Sequence, residues 1–151
     1  MKKLILLIAM IASAPLLLAQ LVEKEGLYYD SNNNPYSGTY IEYFPNGTVR
    51  LEMKVKDGTK DGTTTYYYEN GTKKEVRSFS NNKMDGTWIT WNEAGTKIAE
   101  ARYQNGKKHG KWYIWDENGT LRYEMEYTQG VKTGVWSIWD ENGKLVSQRQ
   151  Y

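Results

Sequence analysis

Residues Gly110–Thr133 read GKWYIWDENGTLRYEMEYTQGVKT. Moved back by 24 residues, the stretch lies on Gly86–His109, GTWITWNEAGTKIAEARYQNGKKH, and two more steps reach Gly62–Asp85 and Gly38–Asp61. One step forward gives Gly134–Tyr151, a shortened copy. Gly38, Gly62, Gly86, Gly110 and Gly134 keep the period without a gap, and so do Gly47, Gly71, Gly95, Gly119 and Gly143. A fixed period of this length marks a repeat array, each unit a supersecondary element stabilised by its neighbours.

Each unit holds two strand-like runs. The first follows the leading glycine, at 39–44, 63–68, 87–91, 111–115 and 135–139, and is dominated by Trp, Tyr, Ile and Thr, all strand formers. The second alternates. Val49, Leu51, Met53 and Val55 share one face while Arg50, Glu52, Lys54 and Lys56 share the other, and Leu121–Thr128 repeats the pattern. Alternation with one charged face describes a half-buried strand. Nothing after the leader carries a sustained helical period.

The link between the runs reads FPNG, YENG, NEAG, DENG and DENG. Ala94 fits poorly in a two-residue type I′ turn, which needs positive φ at both central residues. Pro45 suits position i+1 of a type I turn, and Asn92, Asp116 or Asp140 suits position i. The prediction is therefore a type I turn with Gly47, Gly71, Gly95, Gly119 and Gly143 left-handed, each forming a G1 bulge. The return connections carry Gly58, Asn82, Gly106 and Gly130, and Asn is a residue that positive φ tolerates well. Hairpins joined this way make an all-β fold: an elongated, single-layer antiparallel meander of about eleven strands, roughly 50 Å long.

Ahead of the array, Lys2 and Lys3 precede an apolar run from Leu4 to Leu18, and Ala19 offers a small residue before Gln20. This is the layout of a secretory signal peptide spanning 1–19, too short and too broken for a spanning helix. The run is interrupted by Ser13 and Pro15, and no Cys stands at the cut to take a lipid. The expected location is exported: periplasm, envelope or outside a bacterial cell, with no stable membrane anchor after cleavage. Residues 20–37 read as a mobile lead and a degenerate capping repeat, in which Asn34, 24 residues before Gly58, takes the return-turn role. The units follow at 38–61, 62–85, 86–109, 110–133 and 134–151.

Of the 20 Lys and Arg, two are Lys2 and Lys3, so removing the leader leaves as many basic as acidic residues, the latter numbering 18. A balanced charge argues against nucleic acid, whose binders neutralise phosphates with a basic excess. The chain has no Cys, so it must hold together by packing. Six Trp and 13 Tyr supply the means, since an aromatic ring buries much more surface than an aliphatic chain.

The segment Tyr103–Trp112, YQNGKKHGKW, resembles a MORN repeat, with its aromatic-x-x-G-x-x-H-G signature, and Tyr127–Gly134 is a weaker copy. The resemblance covers about Gly38 to Tyr151. Trp88, Trp112 and Trp136 stand where the usual pattern has a second glycine, and Asp61, Asp85 and Thr133 replace the His that only His109 keeps. These departures are similar to the bacterial variant branch. The resemblance implies a β-hairpin repeat protein, and since some branch members are catalogued as antitoxins of toxin–antitoxin pairs, it also implies an antitoxin-like alternative.

The residues themselves point away from catalysis. With one His and no Cys, a nucleophilic triad or a zinc site lacks its groups, and neither a cofactor nor a metal site is expected. The turn carboxylates lack calcium-ligand spacing. Glu52, Glu100, Glu124 and Glu126 recur on the charged strand face, where pairing with Arg50, Arg102 and Arg122 is the expected use. The Asn-Gly-Thr triplets at Asn46, Asn70 and Asn118 are explained by the turn.

The aromatic rows are the one candidate binding feature. Tyr43, Tyr67, Trp91, Trp115 and Trp139 recur at one repeat position, and Tyr40, Trp88, Trp112 and Trp136 at another three residues earlier. On a regular strand the two rows point to opposite faces. Either the stacked rings are the core itself or the first row is an exposed platform. The expected partner is another protein; a carbohydrate or peptidoglycan is the alternative for an exposed row.

Overall fold

In the computed structural model the structure describes residues 21–151; the leader assigned to 1–19 lies outside them. The strands are β1 (Val22–Lys24), β2 (Leu27–Tyr29), β3 (Gly38–Tyr43), β4 (Val49–Lys56), β5 (Thr59–Tyr67), β6 (Lys73–Ser80) and β7 (Lys83–Met84). They continue with β8 (Gly86–Trp91), β9 (Lys97–Gln104), β10 (Lys107–Lys108), β11 (Gly110–Trp115), β12 (Leu121–Thr128), β13 (Val131–Trp139) and β14 (Leu145–Gln150). The main sheet runs β3-β4-β5-β6-β8-β9-β11-β12-β13-β14, every neighbour antiparallel, with β7 and β10 paired to β6 and β9. It is the expected all-β meander of hairpins, open at β3 and β14 and not closed into a barrel.

Two kinds of turn alternate along it. Between the runs, Gly47 N–H donates to Phe44 O and Phe44 N–H to Thr48 O, a pattern repeated at Gly71, Gly95, Gly119 and Gly143. These five glycines have φ between 75° and 86°, and the strand register slips beside each turn, as between Glu42 and Tyr43. That is a type I turn with a G1 bulge. The return turns are type I′: Asp57 and Gly58 have φ 48° and 78°, Asn81 and Asn82 47° and 64°, Asn105 and Gly106 50° and 81°. Both central residues are left-handed, as that turn demands.

Gly38, Gly86 and Gly110 open β3, β8 and β11, whereas Gly62 and Gly134 lie inside strands. β5 and β13 begin three residues before Gly62 and Gly134. Met53 pairs with Thr64 and Val55 with Lys60, so Asp61, Gly62 and Thr63 all stand opposite Lys54. This bulge bends each strand, and its glycine takes positive φ, 101° at Gly62 and 67° at Gly134. Hydrophobic periodicity does not register such a bend, which is why the first run of these two units is longer than expected.

The N-terminal lead also differs from expectation. It is not loose: Val22–Lys24 pairs with Leu27–Tyr29 as a hairpin. Asn33, with φ 61°, carries the left-handed turn position, and Asp30 N–H bonds Asn34 O while Asn33 N–H bonds Asp30 O. The turn is therefore of the between-run type, with Asn33 in the glycine's place, and Asn34 does not act like Gly58. The Asp30 carboxylate accepts both the Asn32 and Asn34 N–H at 2.9 Å; these bonds, first that from Asn34, lower its pKa.

Candidate functional site

The two aromatic rows behave differently. On one side of the sheet, the ladder face, rings from successive strands interlock in the order Phe79, Trp88, Tyr103, Trp112, Tyr127, Trp136, Tyr151, with centroids 4.8–5.8 Å apart and tilted planes. Tilted contacts at this separation are the favourable arrangement for aromatic quadrupoles. Each indole N–H donates to a backbone carbonyl of the preceding strand: Trp88 to Ser78 O (3.2 Å), Trp112 to Arg102 O (3.0 Å), Trp136 to Glu126 O (3.1 Å). Ser78 O and Arg102 O also accept the backbone N–H of Asp85 and His109, at 3.0 and 2.9 Å, so beside the bulge one carbonyl serves both a backbone and an indole donor. Lys108 lies over Trp112 and Tyr127 at 4.5 and 4.9 Å, and Lys132 over Trp136 and Tyr151 at 4.4 and 4.9 Å.

Half of this ladder escaped the sequence reading. Trp88, Trp112 and Trp136 do not stack on one another; Tyr103 and Tyr127 of the second runs come between them, and Tyr151 follows Trp136. The signal was present, because Phe79, Tyr103, Tyr127 and Tyr151 also keep the 24-residue period, but only strand pairing says which rows interleave.

The second unit lacks the ladder's indole, having Thr64 in its place. The lead hairpin supplies a ring instead: Lys60 lies between Tyr28 and Phe79, 5.6 and 5.4 Å from them. Tyr28 N–H bonds Gly58 O, and Asn82 Nδ2 holds Gly26 O at 2.9 Å. Burial beside Glu23 pushes the Tyr28 phenol up to about 12. Beneath this cover lie the most buried side chains described, Thr64 at 1% exposure, Met53 at 4% and Val55 at 5%.

The predicted platform, Tyr43, Tyr67, Trp91, Trp115 and Trp139, sits at the between-run turns on the opposite face. Cross-strand partners Val49, Lys73, Lys97, Leu121 and Leu145 separate its members, so neighbouring rings are two strands apart, roughly 10 Å. Tyr43 is exposed and the other four are half-buried. Trp115 stacks on Tyr113 at 5.6 Å and carries Lys97 Nζ 4.3 Å above its ring. The row is thus a broken stripe of rings, aliphatics and lysines.

The charged groups around it are paired, though not all as expected. Arg102 meets Glu100 at 4.0 Å. Arg50 instead pairs with Glu42, and Arg122 with Asp116 at 3.8 Å; the bulges beside the turns shift both arginines away from Glu52 and Glu124. Lys97 takes Glu100 at 3.0 Å and Lys111 takes Glu124 at 2.6 Å. Turn carboxylates hold backbone: Asp116 Oδ1 accepts the Asn118 and Thr120 N–H, and Asp140 Oδ1 those of Asn142 and Lys144. Asn46 and Asn70 are engaged too, their Nδ2 groups donating to Glu69 O and Glu93 O of the next turn. Among the described residues no group of three His, Cys, Asp or Glu is placed to hold a metal.

His109 occupies a capping position. Its counterparts accept a backbone N–H from the next return turn: Ser37 from Asp57 (2.8 Å), Asp61 from Asn81 (3.3 Å), Asp85 from Asn105 (2.9 Å). His109 Nδ1 is buried without a partner.

Bulged hairpins with a ring ladder, capped return turns and a strict period describe one repeat type throughout. The family described as "MORN repeat variant" matches residues 36–57, 60–81, 108–129 and 132–151. The chain belongs to the MORN-repeat variant family. Residues 82–107, between the second and third matches, carry the same hairpin of β7, β8 and β9, so the MORN array is continuous in three dimensions. A search among curated proteins found no match. Membership supports a repeat protein built for binding interactions.

Proposed function

We propose that this MORN-variant protein is an exported, non-enzymatic interaction module that binds another protein in the cell envelope or outside the cell. One observation carries the reading. Ten large apolar residues are exposed among those described, and all but Val22 and Tyr43 lie between Ile114 and Tyr151. Exposed apolar surface gathered at one end of a molecule is the mark of a protein contact. Within it Ile114, Tyr123 and Ile138 stand side by side on adjacent strands. Export rests on the layout of residues 1–19. A fusion of those residues to a reporter active only outside the cytosol tests it, and a fusion that is made in full but stays inactive would refute it. Purified chain lacking the leader, used as bait on solubilised envelope, is expected to retain a partner that a Tyr123→Ala/Ile138→Ala variant loses; equal retention by both would overturn the assignment.

A glycan reading is favoured by the stripe of Tyr43, Tyr67, Trp91, Trp115 and Trp139. It predicts a change in Trp fluorescence on titration with cell-wall glycans, abolished by Trp91→Ala and Trp115→Ala.

A further inference from the structure

The ladder face is covered at one end and bare at the other. At the N-terminal end, Leu21, Glu23 and Tyr28 of the lead hairpin close over Leu51, Met53 and Tyr66. Three units on, the same places are held by Tyr123, Met125 and Ile138, and nothing among the described residues lies above them. They form the wall of an open groove of about 430 Å³ that continues to Trp136, Arg149 and Tyr151. Ile114, Tyr123 and Ile138 are cross-strand neighbours in a line, exposed at 40%, 40% and 39%. In the two intervening units Glu75 and Arg77, then Ala99 and Ala101, stand where Tyr123 and Met125 do, so neither offers the same apolar wall.

Charge distinguishes the two ends as well. The covered site contains Glu42 and Lys60 beside the hairpin's own Glu23. Beside the bare groove Ile114, paired with Tyr123, replaces Glu42, and Arg149 is the only charged side chain of the lining. Lys132, the counterpart of Lys60, stands at its rim over Trp136 and Tyr151. Two cations face an apolar floor with no acidic side chain between them.

We propose that this groove, formed by β12, β13 and β14, is the docking site for an extended segment of a partner protein that carries aliphatic or aromatic side chains together with Asp or Glu. The occupant lies over the ladder face as the lead hairpin does over the first two units. Its apolar residues cover Ile114, Tyr123 and Ile138, and its carboxylates meet Arg149 and Lys132, charge pairing that sets partner choice more than raw affinity. The inference rests on the protein-partner reading above and names the chemistry of that partner.

The test is selection of a displayed library of random 16-residue peptides on the chain from residue 20 onward. Expected are peptides alternating apolar and acidic residues. Their affinity should fall by about tenfold or more with Ile138→Asp and with Lys132→Glu/Arg149→Glu, and should stay within about twofold with Trp91→Ala. Melting curves check that each variant is folded, and Tyr123→Ala, milder in the sheet, serves if Ile138→Asp is not. Basic peptides, peptides indifferent to the groove substitutions, no enrichment at all, or a dimer of the chain abolished by Ile138→Asp would each overturn the proposal. Groove-binding peptides together with an envelope bait that retains nothing would leave the groove standing and remove the envelope assignment.

Discussion

At the scale of single residues, the array spends its polar atoms on its own backbone, and the exceptions are informative. Thr64 Oγ1 is buried with no partner at the site where the three later units have Trp. Thr64→Val removes an unsatisfied hydroxyl at nearly constant shape and is expected to stabilise the chain by about 1 kcal/mol, read as a higher urea midpoint; a lower midpoint would mean that the hydroxyl has a partner. His109 poses the converse case. Asp at its position in two other units accepts a turn N–H, so His109→Asp should gain the bond from Gln129 N–H and about 0.5–1.5 kcal/mol. Loss of stability on this change would show that His109 is held for another purpose. Asn82 was legible only in part. Its left-handed φ follows from its place in the period, but its side chain also accepts Lys60 N–H at 2.7 Å and holds Gly26, contacts that no local pattern announces.

At the scale of elements, the ladder and the lead hairpin make separable predictions. Trp112→Phe keeps a ring between Tyr103 and Tyr127 and gives up the indole's bond to Arg102 O, which retains the His109 N–H, at a cost of about 0.5–1.5 kcal/mol. Trp112→Ala opens the ladder and costs about 3–5 kcal/mol. Denaturation midpoints of the two variants should therefore differ widely; equal loss would place the stability in the hydrogen bond and not in the rings. The lead hairpin responds to alkali. Tyr28 has its pKa raised to about 12 from 10.0, so the folded state holds the proton more tightly than the unfolded one. Its contribution is full below pH 10 and is lost as pH climbs toward 12. Protease cleavage of the lead is expected to accelerate across that window, and a Tyr28→Phe variant, with no phenol to ionise, should lose the dependence. Strand runs and both turn classes were readable in advance because glycine, asparagine and alternation act locally. The bulge before each ladder Trp was not, since it arises where two strands must bend together.

At the scale of the whole molecule, each unit is stabilised chiefly by its neighbours, so the two ends of the array are expected to respond independently. All six Trp lie between Trp88 and Trp139, making fluorescence a reporter of the C-terminal units while circular dichroism reports every strand. A chain beginning at Ser37 lacks the cover over Met53, Val55 and Thr64. Its circular dichroism transition should move to lower urea ahead of its fluorescence transition, whereas the chain with its lead should show the two closer together. Coincident shifts would mean a single cooperative unit and no separate cap.

The amino-acid order alone determined the period, the alternation of runs and the places where the backbone turns left-handed, because φ preferences and side-chain alternation are properties of a few consecutive residues. Tertiary structure alone decided which rings touch, that Tyr28 replaces an absent indole, and that one end of the ladder face is covered while the other is bare. Those facts depend on strand register and on segments tens of residues apart, where proximity is set by the bend of the whole sheet.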